Sequence, residues 1–387
     1  MNLIRLFNLG SSLFLLGAMS IFCVATAFAS DAQPLVFVGT YTTHGSKGIY
    51  AYRFDAATGK LNSLGLAAET PQPSFLVASR DEKVLYAANE MQDFDAQKSG
   101  AVSAFAIVAD GKLKLLNQLA SRGADPAHVT LDRTGKYLIA ANYTGGNITI
   151  FPIEQNGGLG QASDFVQHKG SSVNRERQEG PHPHEVVMSP DNRFVLVPDL
   201  GLDEVVIYPF DAVRGKLGTA HSVKVEPGSG PRHLAFSKDE RFVYLLTEMK
   251  STVAVYSYDK SNGGLKELQT ISSLPADFKG ENTGAEIEVH PSGQFLYASN
   301  RGDNNSIAVF SIDTKTGKLK LEQIESTQGK TPRHFAIDPS GQWLLAENQD
   351  SDNIVIFRID PKSGRLTASG QPVQVSSPTC IEFVTGR

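Results

Sequence analysis

The feature that most constrains this chain is a phrase that recurs six times along it. It runs Pro, a short apolar strand, a turn of the Asp/Pro-x-Gly-Lys type, a second strand ending in Asn or an acid, a third strand, then Thr-Gly-Lys-Leu or a relative. PAHVTLDRTGKYLIAANYTGGNITIF from Pro126, PRHFAIDPSGQWLLAENQDSDNIVIF from Pro332 and AEIEVHPSGQFLYASNRGDNNSIAVF from Ala285 show the match. A unit that cannot bury both its faces has to stack on its neighbours. Four short strands in a repeat of roughly 40–50 residues predict a propeller blade.

The residues that open the first strands read as Phe75, His128, His184, His233, Glu286, His334 and Cys380, at spacings of 53, 56, 49, 53, 48 and 46. The last opener has no second strand behind it before Arg387. At the other end, LVFVGTY from Leu35, GIYAYRF from Gly48 and DAATGKLNSLGLA from Asp55 read as second, third and fourth strands without a first. Head and tail are therefore expected to complete one blade together, which removes the open sheet edges. The expected fold is all-β: a seven-bladed propeller closed by N-terminal strands pairing with the C-terminal one.

Other classes are argued against by what the chain contains. A net charge of −5 supplies no basic face for nucleic acid. Arg5, an apolar run from Leu13 to Ala25 and the box Ala27-Phe28-Ala29 read as an export leader over residues 1–29, with one propeller domain over 30–387. No run after it is long enough to span a bilayer. Loss of Cys23 with the leader would leave Cys380 alone, so no internal disulfide is expected. A closed ring needs no partner, and a monomer is the expectation.

Familiar catalytic signatures are missing: there is no G-x-S-x-G, H-E-x-x-H or Walker loop. His182-Pro183-His184 has metal-like spacing but no cysteine or carboxylate companion at ligand spacing. The repeat itself is a better guide, because the first strand of each blade lines the central channel and its openers converge on one mouth. A second polar set ends the second strands: Asn89, Asn142, Asp199, Glu248, Asn300 and Asn348, with Thr40 in the split blade. The asparagines, His128 and His334 read first as structural groups that bond loop backbones. Departures from the repeat say more. Glu248 stands where other blades have Asn or Asp, Arg301 follows its Asn, and Arg232 and Arg333 precede their histidines. A guanidinium at a channel mouth suits a carboxylate or phosphate. The polar stretch from Gln167 to Glu185, with Arg175 and Arg177, is too long for a blade turn and runs straight into His182 and His184.

FVGTYT at Phe37, GSSVNRERQEGPHPH at Gly170, GPRHLAF at Gly230, the Glu248 strand end, ASNRGDNNSIAVF at Ala298 and NQDSDNIVIF at Asn348 together resemble the seven-bladed propeller lactonase family. That family includes bacterial propeller-type 6-phosphogluconolactonases and fungal muconate-lactonizing enzymes. The resemblance runs from about Leu35 to the end of the chain. It implies an active set of His184, Arg232, Glu248 and Arg301, a lactone substrate, and no metal or other cofactor. In such a set Glu248 or His184 would take the proton of an attacking water, and Arg232 or Arg301 would stabilise the oxyanion. His182, His233, Arg175, Arg177, Glu286, Arg333 and His334 are the candidate substrate-binding residues. Because 6-phosphogluconolactone is a cytoplasmic metabolite, an exported relative would act on unphosphorylated aldonolactones or another cyclic ester. Two alternatives stand beside this: a calcium-dependent lactonase built on Glu286, Asp199 or Glu248, and a non-catalytic binding propeller.

Overall fold

A computed structural model describes residues 33–386, together with Met1. The leader and Cys23 lie outside the described residues. Six consecutive antiparallel sheets follow one another along the chain, starting at Pro73, Pro126, Val187, Pro231, Asn282 and Pro332. They are called blades one to six below. The seventh sheet joins Pro378–Val384 to Leu35–Thr40, Gly48–Asp55 and Lys60–Glu69, so head and tail share one blade as expected.

Why these residues make blades is visible in the turns. Asp132 accepts the backbone N–H of Thr134, Lys136 and Tyr137, and Asp338 does the same for Ser340, Gln342 and Trp343. The acid of the Asp-x-x-Gly turn thus closes the hairpin between first and second strands. The glycine of each Thr-Gly-Lys-type turn has a different task. A Cβ on Gly317 would lie 2.4 Å from the ring of Phe242, and one on Gly364 would lie 2.5 Å from Phe295. Gly215 meets Tyr137 and Gly59 meets Trp343 in the same way. Each glycine lets one blade's outer turn sit against the aromatic residue that starts the second strand of the blade before it.

The apolar side chains of the strands do not form one central core. They form seven clusters, each shared by two adjacent sheets. Val84, Tyr86 and Val102 of blade one meet Val129, Leu138 and Phe151 of blade two, and Val36, Tyr52 and Phe54 of the closing blade meet Trp343, Leu345 and Ile354 of blade six. Leu35, Phe37 and Cys380 pack on Leu76, Leu85 and Phe105, which completes the circle. This sheet-on-sheet burial around a ring leaves the middle to polar groups.

The second-strand asparagines have the structural role expected of them. Asn89, Asn142, Asn300 and Asn348 donate to backbone carbonyls of Pro71, Ser121, Ser273 and Thr327, in the connectors that lead into their own blades. Blade three departs from the rest. Pro181 and Pro183 shorten its first strand to Val187–Met188, with an isolated bridge from Pro183 to Asp199.

Candidate active site

Strand register corrects the sequence alignment in two blades. Pro73, Pro126, Pro183, Pro231, Gly284 and Pro332 oppose Asn89, Asn142, Asp199, Thr247, Asn300 and Asn348, sixteen residues on in every blade. The strand-end residue of blade four is therefore Thr247, and Glu248 lies one step beyond it, level with Glu90, Tyr143 and Arg301. Likewise the true counterpart of His128 and His233 in blade three is Glu185. His184 sits one residue earlier, in the ring of Ser74, Ala127, Arg232, Ala285, Arg333 and Thr379. Opener-to-terminator spacing hid this because blade three has Pro183 between two histidines.

The corrected frame gives two layers. In the upper layer His184, Arg232 and Arg333 line a small cavity whose wall continues down to His233, Glu286 and His334. Glu248 stands among three guanidinium groups. Arg177 Nη2 donates to its Oε1 at 2.6 Å, while Arg232 Nε and Arg301 Nη2 reach Oε2 at 3.1 Å each. Burial alone would raise its pKa, but Arg301, Arg232 and Arg177 outweigh that and hold it at about 2. Arg232 is fully buried, also donates to Ala285 O, and is brought down to about 9 by burial and by Arg301 and Arg333 beside it. The pair is thus charged on both sides at neutral pH. Arg301 donates to Gly284 O as well. Arg333 sits over Tyr41 and 3.5 Å from Glu90, which accepts from the Tyr41 hydroxyl. Four arginines face two carboxylates, so the mouth carries an excess of positive charge.

Beneath it lies a row of imidazoles. His184 Nδ1 is 3.2 Å from His233 Nε2, and His233 Nδ1 is 3.0 Å from Glu286 Oε2. Glu286 is also 3.7 Å from His334 Nε2, whose Nδ1 reaches Glu347 at 2.7 Å. Burial and then Arg232 push His184 well below the usual histidine range, so it is neutral at pH 7. Burial takes His233 to about 4. His334, against its burial, is raised to about 9 by Glu286 and Glu347.

Most of the residues expected from the sequence are brought together here. Arg177 reaches the mouth from the long loop, 71 residues from its partner Glu248. Its neighbour Arg175 does not: it is exposed and makes no hydrogen bond or ion pair among the described residues. His182 is withdrawn too. It stacks on Tyr143 at 4.5 Å, with Nδ1 on Tyr143 O and Nε2 3.4 Å from Glu179, and so anchors the loop. His233, Glu286 and His334 lie one layer below His184, Arg232 and Arg333 and line the same cavity. The carboxylates of the calcium alternative are dispersed, since Asp199 is bound to His168 and to the His182 N–H while Glu248 and Glu286 hold cations. Among the described residues no three His, Cys, Asp or Glu side chains are grouped as metal ligands.

Sequence reasoning missed Glu185, Glu90, Tyr41 and Tyr143. Glu185 is buried, accepts from Leu234 N and lies 3.7 Å from His128, and burial raises its carboxyl well above the usual range. The signal that would have found it is the constant sixteen-residue interval from Pro183 to Asp199. The other three follow the second-strand ends directly, a position that only the Arg301 and Glu248 departures had drawn into view.

Comparison with known proteins gives the family. Residues 35–383 match the family model described as Lactonase, 7-bladed beta-propeller. A protein named 6-phosphogluconolactonase from Bacillus subtilis is 34% identical over 349 residues, covering 90% of this chain and 97% of that one. One of the same name from Formosa agariphila is 36% identical over 358 residues, covering 90% and 99%. The solved structure of a periplasmic gluconolactonase from Pseudomonas aeruginosa superposes with a TM-score of 0.86 at 35% identity, covering 91% of this chain and 99% of that one. By its matched span, its seven closed blades and these relatives, the chain belongs to the seven-bladed β-propeller lactonase family.

Proposed function

We propose that this chain hydrolyses the ring ester of a sugar lactone at the mouth just described, 6-phospho-D-glucono-1,5-lactone or a related aldonolactone being the substrate class. One observation carries the reading: a neutral imidazole, His184, shares a small cavity with two buried or half-buried guanidinium groups, Arg232 and Arg333. The base is His184 rather than Glu248. A carboxylate held at about 2 by three arginines has little affinity for a proton. Water gives a proton to His184 as its oxygen bonds the lactone carbonyl carbon. Arg232 and Arg301 stabilise the oxyanion that forms. When the tetrahedral intermediate collapses, the bond from the carbonyl carbon to the ring oxygen breaks, and His184 returns the proton to that oxygen. Arg333 and Arg177 are placed to attract a phosphate, or the carboxylate of the open product.

The reading needs no metal. Residues 1–29 are read as an export leader, which puts unphosphorylated aldonolactones within reach. Among the described residues no helix is long and apolar enough to cross a membrane. The test is a panel of phosphorylated and plain sugar lactones, each corrected for spontaneous opening, with the parent protein and Arg232→Ala. Hydrolysis by the parent above background, cut more than tenfold by the substitution, is expected. A folded parent that opens none of the panel would point to a binding propeller instead.

A further inference from the structure

We propose that Glu286 and His233 are positioning residues that fix His184 in the tautomer with its proton on Nδ1 and its basic lone pair on Nε2. The proposal deepens the lactonase reading above and rests on it only for its kinetic consequence. It starts from what each atom can do. A carboxylate oxygen accepts and never donates, so the 3.0 Å contact of Glu286 Oε2 with His233 requires a proton on His233 Nδ1. In a neutral ring the other nitrogen, Nε2, must then be an acceptor. Its partner at 3.2 Å is His184 Nδ1, which must therefore be the donor. The remaining nitrogen of His184, Nε2, has no hydrogen-bond partner among the described residues and belongs to a side chain that lines the cavity.

The surroundings keep each member of the row in its state. Glu286 is held as a carboxylate, to about 2, by His233 and His334 against its burial. His334 stands as a cation on its far side, between it and Glu347. His233 faces His128 at 5.6 Å, Phe75 at 6.4 Å and the Arg232 charge, and stays neutral. His184 faces Tyr143 edge-on at 5.5 Å and the charges of Arg232, Arg333 and Arg301. Three guanidinium charges thus oppose protonation of His184, and the Glu286 carboxylate beyond His233 favours it. As the base takes its proton, the new positive charge is shared along the hydrogen bonds toward Glu286. A carboxylate that orients a catalytic imidazole directly is worth up to about 10⁴ in kcat. Acting through a second imidazole, Glu286 should be worth about 10–100-fold.

The experiment uses the whole protein with isotope-labelled histidine. Nitrogen-15 shifts, with the His184 signal assigned by its loss in His184→Gln, are expected to report Nδ1–H and an unprotonated Nε2. In kinetics, Glu286→Gln is expected to lower kcat about 10–100-fold with KM changed less than about threefold. The acid limb of kcat/KM should move down by about one pH unit, because the charge that favours the imidazolium is gone. Glu286→Asp should restore most of the rate. Observation of the opposite tautomer, or parental kcat and acid limb in Glu286→Gln, would overturn the proposal. Should Glu286→Gln not fold, the tautomer in the parent and the kcat of His233→Gln decide. If the parent opens no lactone, the reading of function fails, while the tautomer measurement still judges this row of histidines.

Discussion

Replacing Glu248 by Gln keeps the side chain's shape and removes the single negative charge that Arg177, Arg232 and Arg301 share. The carboxyl is drawn from its ordinary 4.5 to about 2 in the folded protein, and it is only 6% exposed, so solvent screening takes little from the effect. That displacement corresponds to about 3 kcal/mol of folding stability at pH 7. Breaking a buried ion pair by removal of one partner costs about 3–5 kcal/mol by an independent route, so the two figures agree. The sign follows from a depressed folded value. The stabilisation is complete above the unfolded pKa of 4.5 and fades as pH falls through about 2. At pH 3 the same linkage leaves about 1 kcal/mol. Glu286, also held near 2, titrates over the same window but is common to both proteins and cancels. The assay is urea unfolding of parent and Glu248→Gln at pH 7 and at pH 3, followed by the fluorescence of Trp343, the chain's one tryptophan. A Gln variant within about 0.5 kcal/mol of the parent at pH 7, or a gap that fails to narrow at pH 3, would refute the account of this cluster as a charge-compensated core.

Further outcomes follow from the same geometry. His184→Gln should lower kcat for a sugar lactone by at least about 100-fold while leaving the urea midpoint near that of the parent, as steady-state kinetics and unfolding would show. Because burial and Arg232 keep His184 well below the usual histidine value of 6.5, parental kcat/KM should hold through pH 6 and decline only at lower pH; a decline centred at 6.5 would contradict that environment. Arg333→Ala is expected to raise KM about tenfold for a phosphorylated lactone and less for its plain counterpart, measured side by side. Activity should survive dialysis against EDTA, and its loss with recovery on added calcium would revive the metal-dependent alternative. Removal of residues 378–387 deletes the strand that pairs with Leu35–Thr40 and exposes two blade faces; a broadened urea transition at a lower midpoint is expected.

Much of the architecture was legible because blade formation is local. Asp132 and Asp338 close their hairpins with backbone N–H groups no more than five residues away, and the apolar alternation of strands such as Asn353–Ile359 needs no distant information. The site was legible only as departures from the repeat. Arg232, Glu248, Arg301 and Arg333 stood out because no neighbouring blade has their chemistry at that place. Where a blade was itself irregular, the alignment slipped. The prolines around His182 broke the first strand of blade three, so His184 was matched with the wrong ring and Glu185 went unseen.

The chain's order of residues determined the unit, its number and the way the two ends meet, since each is written in patterns shorter than one hairpin. Depth along the channel was decided only by the folded ring. His184 and His233, 49 residues apart, become a hydrogen-bonded pair, with the first in the upper ring and the second a layer below, because strand pairing advances one by a single residue. Arg177 meets Glu248 and Arg175 does not, because the loop is pinned by His182 on Tyr143 and by Gln178 on Leu200 O. Such contacts join side chains that approach one another only after seven sheets have closed, and their charges acquire their values from that enclosure.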